Sequence, residues 1–468
     1  MKAVEFKNVS FSYDGSSDKV LDNVNFSIEY GKISLLMGPS GSGKSTIISL
    51  ILGLIPELVE GKLSGEVLVD GKSIDSLSSV CEKVGVVLQN PEAQIIHKYV
   101  EDEIAFGMEN LGFPPDKITE NIEKYTNLLK LNTYQNTLEL SGGEKQRLMM
   151  AATLAMESKI IILDEPLANL CRESTKILIK TLKDLRAQGY AILIVEHRLD
   201  VIKDISDTVL VIDIKKVSKA KKEDLKTKII ELPHEKQLAT KEPLFKVNNL
   251  SFKYHKDYII KNLTFDVFKG EKLLLIGENG AGKTTLLKIL GRLIKRFEGT
   301  VKQKFNKSLG QKKGSRKWFK TIGYIYQNPN YQLFMPTVKQ EIHFKAYSDD
   351  YADKIIELFN LEKLTLKHPQ SLSEGQKRLV SIAAVLATRP QVLFLDEPTV
   401  GLDTATLERL VYTINSIHEE TGCTLITITH DKRCAEAFCD RALIIDRSFN
   451  YSVVETKEEL KKYFEKDS

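Results

Sequence analysis

A chain of 468 residues is long for one hydrophobic core, so two domains are the natural expectation. Its 67 Lys and Arg stand against 63 Asp and Glu, and a net charge of only +4 argues against a dedicated nucleic-acid binder. The five cysteines, Cys81, Cys171, Cys423, Cys434 and Cys439, form no Cys-x-x-Cys pair and lack zinc-type histidine spacing, which speaks against a metal or iron–sulfur centre and for a reduced, cytoplasmic protein. No apolar leader opens the chain, and no apolar run reaches the ~20 residues that cross a bilayer.

In chain order, the first predicted elements are strands at Val4–Tyr13 and Ile33–Met37. The second runs into Gly38-Pro39-Ser40-Gly41-Ser42-Gly43-Lys44-Ser45, with Thr46 beyond it, and a helix is expected to open there. Glycines at this spacing let consecutive backbone N–H groups face phosphate oxygens, and the following helix adds its positive end. Lys44 is placed to neutralise the β- and γ-oxygens and Ser45 to ligate Mg²⁺. Further on come Gln89, an acidic segment at Val100–Asn110, the motif Leu140-Ser141-Gly142-Gly143-Glu144, and an apolar strand from Ile160 ending in Asp164-Glu165. Another apolar strand ends in His197. Residues 215–242 are rich in Lys and Glu and contain Pro233; they read as an exposed linker, with a short helix around Lys222–Ile230, between domains at 1–214 and 243–468.

The second domain writes the list again. Leu273–Ile276 leads into Gly277-Glu278-Asn279-Gly280-Ala281-Gly282-Lys283-Thr284, then Thr285. Gln327, Ser373-Glu374-Gly375-Gln376, Asp396-Glu397 and His430 follow. Ser141 to Asp164 and Ser373 to Asp396 are equally separated, and Asp164 to His197 differs from Asp396 to His430 by one residue. A chance glycine-rich turn does not recur at equivalent positions of a repeat, so two nucleotide sites are expected. Short β-branched runs alternating with helix-length segments point to an α/β fold with a mainly parallel sheet in each half.

The serine–glycine motifs resemble the Leu-Ser-Gly-Gly-Gln signature of ABC ATPases, and the resemblance covers nearly the whole chain. It implies two P-loop NTPase domains, each with a RecA-like parallel-sheet core, an antiparallel β subdomain and a helical subdomain. It also implies that two ATP molecules are held head to tail, each between one half's loop and the other's signature, at Ser141, Gly142, Gly143 and Glu144 or Ser373, Glu374, Gly375 and Gln376. By the same resemblance Asp164 and Asp396 serve Mg²⁺, Glu165 and Glu397 polarise the attacking water, and His197 and His430 contact the γ-phosphate. Gln89 and Gln327 take the Q-loop position next to Mg²⁺ and water, and Tyr13 and Tyr254 the place of the aromatic that stacks on adenine. Two departures stand out: Glu374 replaces a signature glycine, and Cys171 replaces an aspartate that braces the opposite loop. Unequal ATP turnover at the two sites is the expectation.

Beyond each Q-loop, Gln89-Asn90-Pro91-Glu92-Ala93-Gln94 leads to Val100-Glu101-Asp102-Glu103-Ile104-Ala105-Phe106, and Gln327-Asn328-Pro329-Asn330-Tyr331-Gln332 leads to Val338-Lys339-Gln340-Glu341-Ile342-His343-Phe344. This pattern resembles the ATPases of energy-coupling factor transporters. The resemblance implies an ATPase on the cytoplasmic side of the cell membrane. It would energise import of a vitamin or metal ion through a transmembrane coupling subunit and a small substrate-binding membrane subunit, with no nucleic-acid partner. Glu92, Glu101, Asp102, Glu103 and Glu341 could receive basic residues of the membrane subunit or form a solvated helix face. Another ABC importer or exporter, or a soluble ABC protein acting on ribosomes or DNA, remains the alternative. The run Val301–Lys320 holds eight Lys/Arg and Trp318 and reads as a solvated hairpin.

Overall fold

The computed structural model describes residues 1–15, 18–39, 41–74, 76–167, 172–196, 202–224, 230, 232, 238–254, 257–278, 280–304 and 316–466, and the chain divides into compact units at Met1–Thr227 and Lys228–Ser468.

In the first unit, an antiparallel sheet carries Leu21–Glu29, Lys2–Tyr13, Gly61–Val69 and Lys72–Ser73 in that spatial order. A second sheet has the order Lys216–Ala220, Thr208–Asp213, Ile33–Met37, Ala191–Val195, Ile160–Asp164, Val84–Val87. All its neighbours are parallel except the edge pair of Lys216–Ala220 with Thr208–Asp213. The inner strands are mainly apolar because both faces are covered, and the period of two divides their side chains between two cores. Ile161, Leu163, Ile192 and Ile194 pack with the helical side, on Val100–Asn110 and Gly142–Ala155. Ile160, Ile162, Ala191, Leu193 and Val195 pack against the antiparallel sheet.

The second unit repeats the plan. Its antiparallel sheet runs Tyr258–Phe268, Pro243–Lys253, Glu298–Gln303, and its main sheet Ile322–Ile325, Val392–Asp396, Thr424–Ile428, Lys272–Gly277, Arg441–Ile445, Tyr451–Val454. Only the last pair of the main sheet is antiparallel. In each unit the strand feeding the glycine-rich loop lies inside the parallel sheet, so the loop emerges where neighbouring strands also end. This is the usual ligand position of open α/β sheets. Among the described residues no helix is long and apolar enough to cross a membrane.

Two local expectations need correction. Residues 215–242 do not begin as a linker: Lys216–Ala220 is the edge strand of the first unit's main sheet, and the only helical turn described in the segment is a 3₁₀ turn at Lys222–Asp224, residues 225–229 lying outside the description. Trp318 is not part of a solvated hairpin. It is 2 % exposed, in the core beneath the antiparallel sheet with Phe245, Val301 and Phe394, whereas residues 305–315 lie outside the described residues.

Candidate active site

Each glycine-rich loop follows a central strand and opens a helix, Lys44–Ile51 or Lys283–Leu290. The residue before each helix is a glycine in the left-handed region, Gly43 at φ 106° and Gly282 at φ 89°, where a side chain would be strained. At the loop's start the constraint is space. A Cβ on Gly38 would lie 2.6 Å from the Ile212 carbonyl oxygen, and one on Gly277 would lie 2.0 Å from that of Ile445. Backbone thus passes backbone, and the loop curls tightly. Lys44 Nζ donates to the carbonyls of Gly38 and Pro39 at 2.7 and 2.8 Å, and Lys283 Nζ to those of Gly277 and Glu278 at 2.7 and 2.9 Å. Both ammonium groups are therefore held at the mouths of their loops, and Ser42 Oγ is buried there without a hydrogen-bond partner among the described residues. Ser40 and Asn279 lie outside the described residues.

Asp164 and Asp396 end the strands Ile160–Asp164 and Val392–Asp396. In the second unit Thr284 Oγ1 donates to Asp396 Oδ1 at 3.1 Å, bringing together a hydroxyl and a carboxylate of the hard-oxygen type that Mg²⁺ takes. Burial, then the neighbouring Glu397 charge, push the Asp396 carboxyl up to about 6, against the Thr284 bond and the positive Lys288 and Lys283. A cation at that place would oppose the burial cost, so the donor set fits the metal.

The next residue in each unit has unusual backbone: Glu165 at φ 48° and Glu397 at φ 49°. Their N–H groups donate to Val195 and Ile428 carbonyls at 2.8 and 3.0 Å, which pins each turn to the adjacent strand end. Non-glycine residues in this region are uncommon, and finding the same outlier at both glutamates marks it as a built feature. Gln89 Nε2 donates to Glu165 Oε2 at 2.8 Å, and His430 Nε2 stands 3.5 Å from Glu397 Oε1. Burial raises the Glu397 carboxyl above its ordinary range, with Lys283, the backbone bond from His430 and Arg378 acting the other way. His197 and Cys171 lie outside the described residues.

Tyr13 and Tyr254 are both exposed at the antiparallel-sheet side, and the Tyr13 hydroxyl is 2.9 Å from Thr46 Oγ1, beside the loop helix. Ser141 and Ser373 cap the helices Gly142–Ala155 and Glu374–Leu386. Glu144 and Gln376, expected to meet nucleotide, are engaged in reciprocal capping boxes with those serines. Glu374 is paired with Lys377 at 3.1 Å.

The acidic segments behave differently from the docking role considered for them. Glu103 and Glu341 are 5 % and 3 % exposed, and each folds one carboxylate oxygen onto two backbone N–H groups. The Glu103 partners are Ile96 and His97 at 2.8 and 2.7 Å, and the Glu341 partners are Phe334 and Met335 at 2.8 and 2.7 Å. Both shape the loop after the Q-loop and are not free to receive a partner's cation. Glu92 is ion-paired with Lys145 at 2.5 Å, while Asp102 stays on the surface.

Residues not singled out from sequence also converge here. Arg378 donates to the carbonyls of Gln327 and Glu397, and the buried Glu196 carboxylate accepts the N–H of Leu167 at 3.2 Å. The signal for the first was the change from Lys145-Gln146-Arg147 to Lys377-Arg378-Leu379 between otherwise matching motifs.

The family model described as ABC transporter matches residues 21–168 and 260–400. An ABC transporter ATP-binding protein of Methanosarcina mazei, so named provisionally, is 32% identical over 94% of this chain and 87% of its own. A Bacillus subtilis protein with the provisional name HMP/thiamine import ATP-binding protein YkoD is also 32% identical, over 94% of this chain and 89% of its own. Among solved structures, an archaeal ribosome recycling factor, aABCE1, in complex with the stalk protein aP1, matches with a TM-score of 0.65 and 19% identity over 98% of this chain and 92% of that one; the likeness is one of fold.

Proposed function

Because the chain belongs to the ABC transporter family of ATP-hydrolysing proteins, we propose that it energises import of a vitamin or metal ion through separate membrane subunits, as energy-coupling factor ATPases do. The observation that carries the ATPase half of this reading is the glutamate turn. Glu165 and Glu397 hold the same rare backbone conformation one residue past a strand-end aspartate, with Gln89 or His430 beside the carboxylate.

In this reading Lys44 and Lys283 transfer hydrogen bonds from their own loop carbonyls to the β- and γ-phosphate oxygens of ATP. Ser45 with Asp164, and Thr284 with Asp396, would hold Mg²⁺ beside Gln89 and Gln327; the ion, when bound, neutralises phosphate charge. Glu165 and Glu397 accept hydrogen bonds from the attacking water and orient it. His197 and His430 would steady the γ-phosphate. Tyr13 and Tyr254 would stack on adenine.

The import half is supported by the paired Gln-Asn-Pro and Val-x-x-Glu-Ile motifs and by the relative named for HMP/thiamine import. It is also supported by exposed apolar side chains beyond each Q-loop, Ile96, Tyr99 and Phe106 in one unit and Tyr331, Phe334 and Phe344 in the other, a kind of surface that marks protein contacts. Glu101 and Asp102 stay available to a basic partner there.

The test is purification of the full chain from gently solubilised membranes. A multi-span coupling protein with a small ligand-binding membrane protein is expected alongside it. Recovery only with ribosomes would overturn the import reading. ATP turnover in Glu165→Gln and Glu397→Gln tests the site itself: each is expected to lose most activity, by unequal amounts.

A further inference from the structure

Among the described residues the two units differ, close to the glutamate turn, at one position of the helix that follows the signature serine. In the second unit that position is Arg378, 6 % exposed, with its guanidinium between two backbone carbonyls. One nitrogen donates to the Gln327 oxygen at 2.6 Å and another to the Glu397 oxygen at 3.0 Å. The guanidinium fork is rigid, so two carbonyls bound to it hold a fixed separation. Those carbonyls belong to the Q-loop glutamine and to the glutamate with left-handed backbone, segments far apart in sequence. Burial draws the Arg378 pKa down to about 10, with Glu374, Glu397 and Asp396 acting to raise it, so the group keeps its charge at neutral pH.

The first unit has Gln146 at the matching place, also buried, and its Nε2 has no hydrogen-bond partner among the described residues. A small cavity lies beside it, and its lining includes Val87, Gln146, Arg147, Met150, Leu163 and Pro166. The glutamine side chain is shorter than arginine's and lacks the guanidinium fork that spans the two carbonyls in the second unit.

We propose that Arg378 is a positioning residue that ties the backbone of the second unit's Q-loop to that of its glutamate turn, so that the two move as one body, whereas in the first unit the described link between the same segments is the side-chain bond from Gln89 Nε2 to Glu165 Oε2. The proposal rests on the reading of Glu397 as the group that orients the attacking water. With its guanidinium on the Gln327 and Glu397 carbonyls, Arg378 acts through the backbone that aims Glu397. If the tie communicates Q-loop movement to the glutamate, the second site is the one more tightly governed by what docks beyond Gln327.

The experiment uses the full chain with Arg378→Gln, Arg378→Lys and the reciprocal Gln146→Arg. Arg378→Gln is expected to lower kcat about ten-fold while leaving the affinity for a fluorescent ATP analogue within about two-fold, a loss of aim and not of binding. Arg378→Lys, able to reach one carbonyl, is expected to recover part of kcat. Amide exchange separates this from simple loss of stability. In the parent chain, Mg-ATP is expected to slow exchange at residues 326–330 and 397–400 together; in Arg378→Gln the two segments respond separately. Gln146→Arg is expected to slow exchange at Gln89 and Glu165, which keeps the idea testable should the Arg378 variants fold poorly. An unchanged kcat, a parallel fall in affinity and kcat, or unaltered exchange in Gln146→Arg would each overturn it. A parent chain without ATP turnover would instead overturn the ATPase reading, while the exchange results would still report on the tie.

Discussion

Replacing Glu103 by Ala removes one carboxylate oxygen that accepts the N–H groups of Ile96 and His97 at 2.8 and 2.7 Å. A hydrogen bond to a charged group contributes about 1.5–3 kcal/mol, so two at the lower end amount to about 3 kcal/mol of local stability. Glu103 also lies in the first turn of Val100–Asn110, where a negative charge adds a few tenths of a kcal/mol. At ~1.4 kcal/mol per factor of ten, protection of the two amides is expected to fall by about 100-fold. Amide exchange followed by mass spectrometry over residues 94–99 of the full chain measures this directly. Glu103→Gln keeps an acceptor without the charge and is expected to lose about ten-fold. Glu109→Ala, an exposed change near the end of the same helix, supplies the baseline. Should Glu103→Ala exchange no faster at residues 96 and 97 than Glu109→Ala, the carboxylate does not anchor the loop, and its place in the motif would return to partner recognition.

Gly277→Ala would set a Cβ 2.0 Å from a backbone oxygen that cannot step aside, so the loop must shift; a fluorescent ATP analogue titrated against it should bind about ten-fold more weakly or worse. Trp318→Ala empties the largest fully buried side chain of the molecule and is expected to cost the second unit about 3–5 kcal/mol, read by urea unfolding followed by circular dichroism. His418 is 2 % exposed with Nδ1 2.7 Å from the Cys423 oxygen, and burial holds its pKa below the ordinary value. Because the unfolded chain protonates first, near pH ~6.5, the stabilisation is present above that pH and is lost as pH falls through it toward the folded pKa. The thermal midpoint of the second unit should therefore drop between about pH 7.5 and 5.5, and drop less in His418→Gln.

The glycine-rich loops and the strands ending in Asp164 and Asp396 were legible because their chemistry needs given residue types at given spacing, written twice. What escaped the sequence follows from a common cause: a side chain's meaning was set by contacts distant in the chain or by its own backbone. Glu103 and Glu341 read as surface acids, because nothing local shows a carboxylate turning back onto two amides. Trp318 lies in a basic run, and local charge said solvent where the antiparallel sheet supplies a core. Lys216–Ala220 read as linker because an outermost strand needs only one partner and tolerates lysines that keep its free edge from pairing. The Ser-x-x-Glu and Ser-x-x-Gln spacings at Ser141 and Ser373 are also capping-box patterns, a local role that the signature resemblance did not bring out.

The glutamate turns show where the two halves diverged. Glu165 and Glu397 share a left-handed φ within a degree, and each N–H meets the adjacent strand. Beyond that the bracing differs. In the first unit the buried Glu196 carboxylate accepts the Leu167 N–H; in the second, at the matching places, the hydroxyls of Thr429 and Thr399 lie 3.0 Å apart. A buried carboxylate and a pair of hydroxyls differ in charge, volume and desolvation cost, so neither substitutes for the other unless its partner changes as well. The same holds for Gln146 beside its cavity and Arg378 across its two carbonyls. The lysines, aspartates and glutamates proposed to meet ATP stand in both halves, while the residues behind them were rebuilt in matched sets. Inequality between the sites, then, is to be sought in how firmly each glutamate is held as well as in the signature change at Glu374 and the replacement at Cys171.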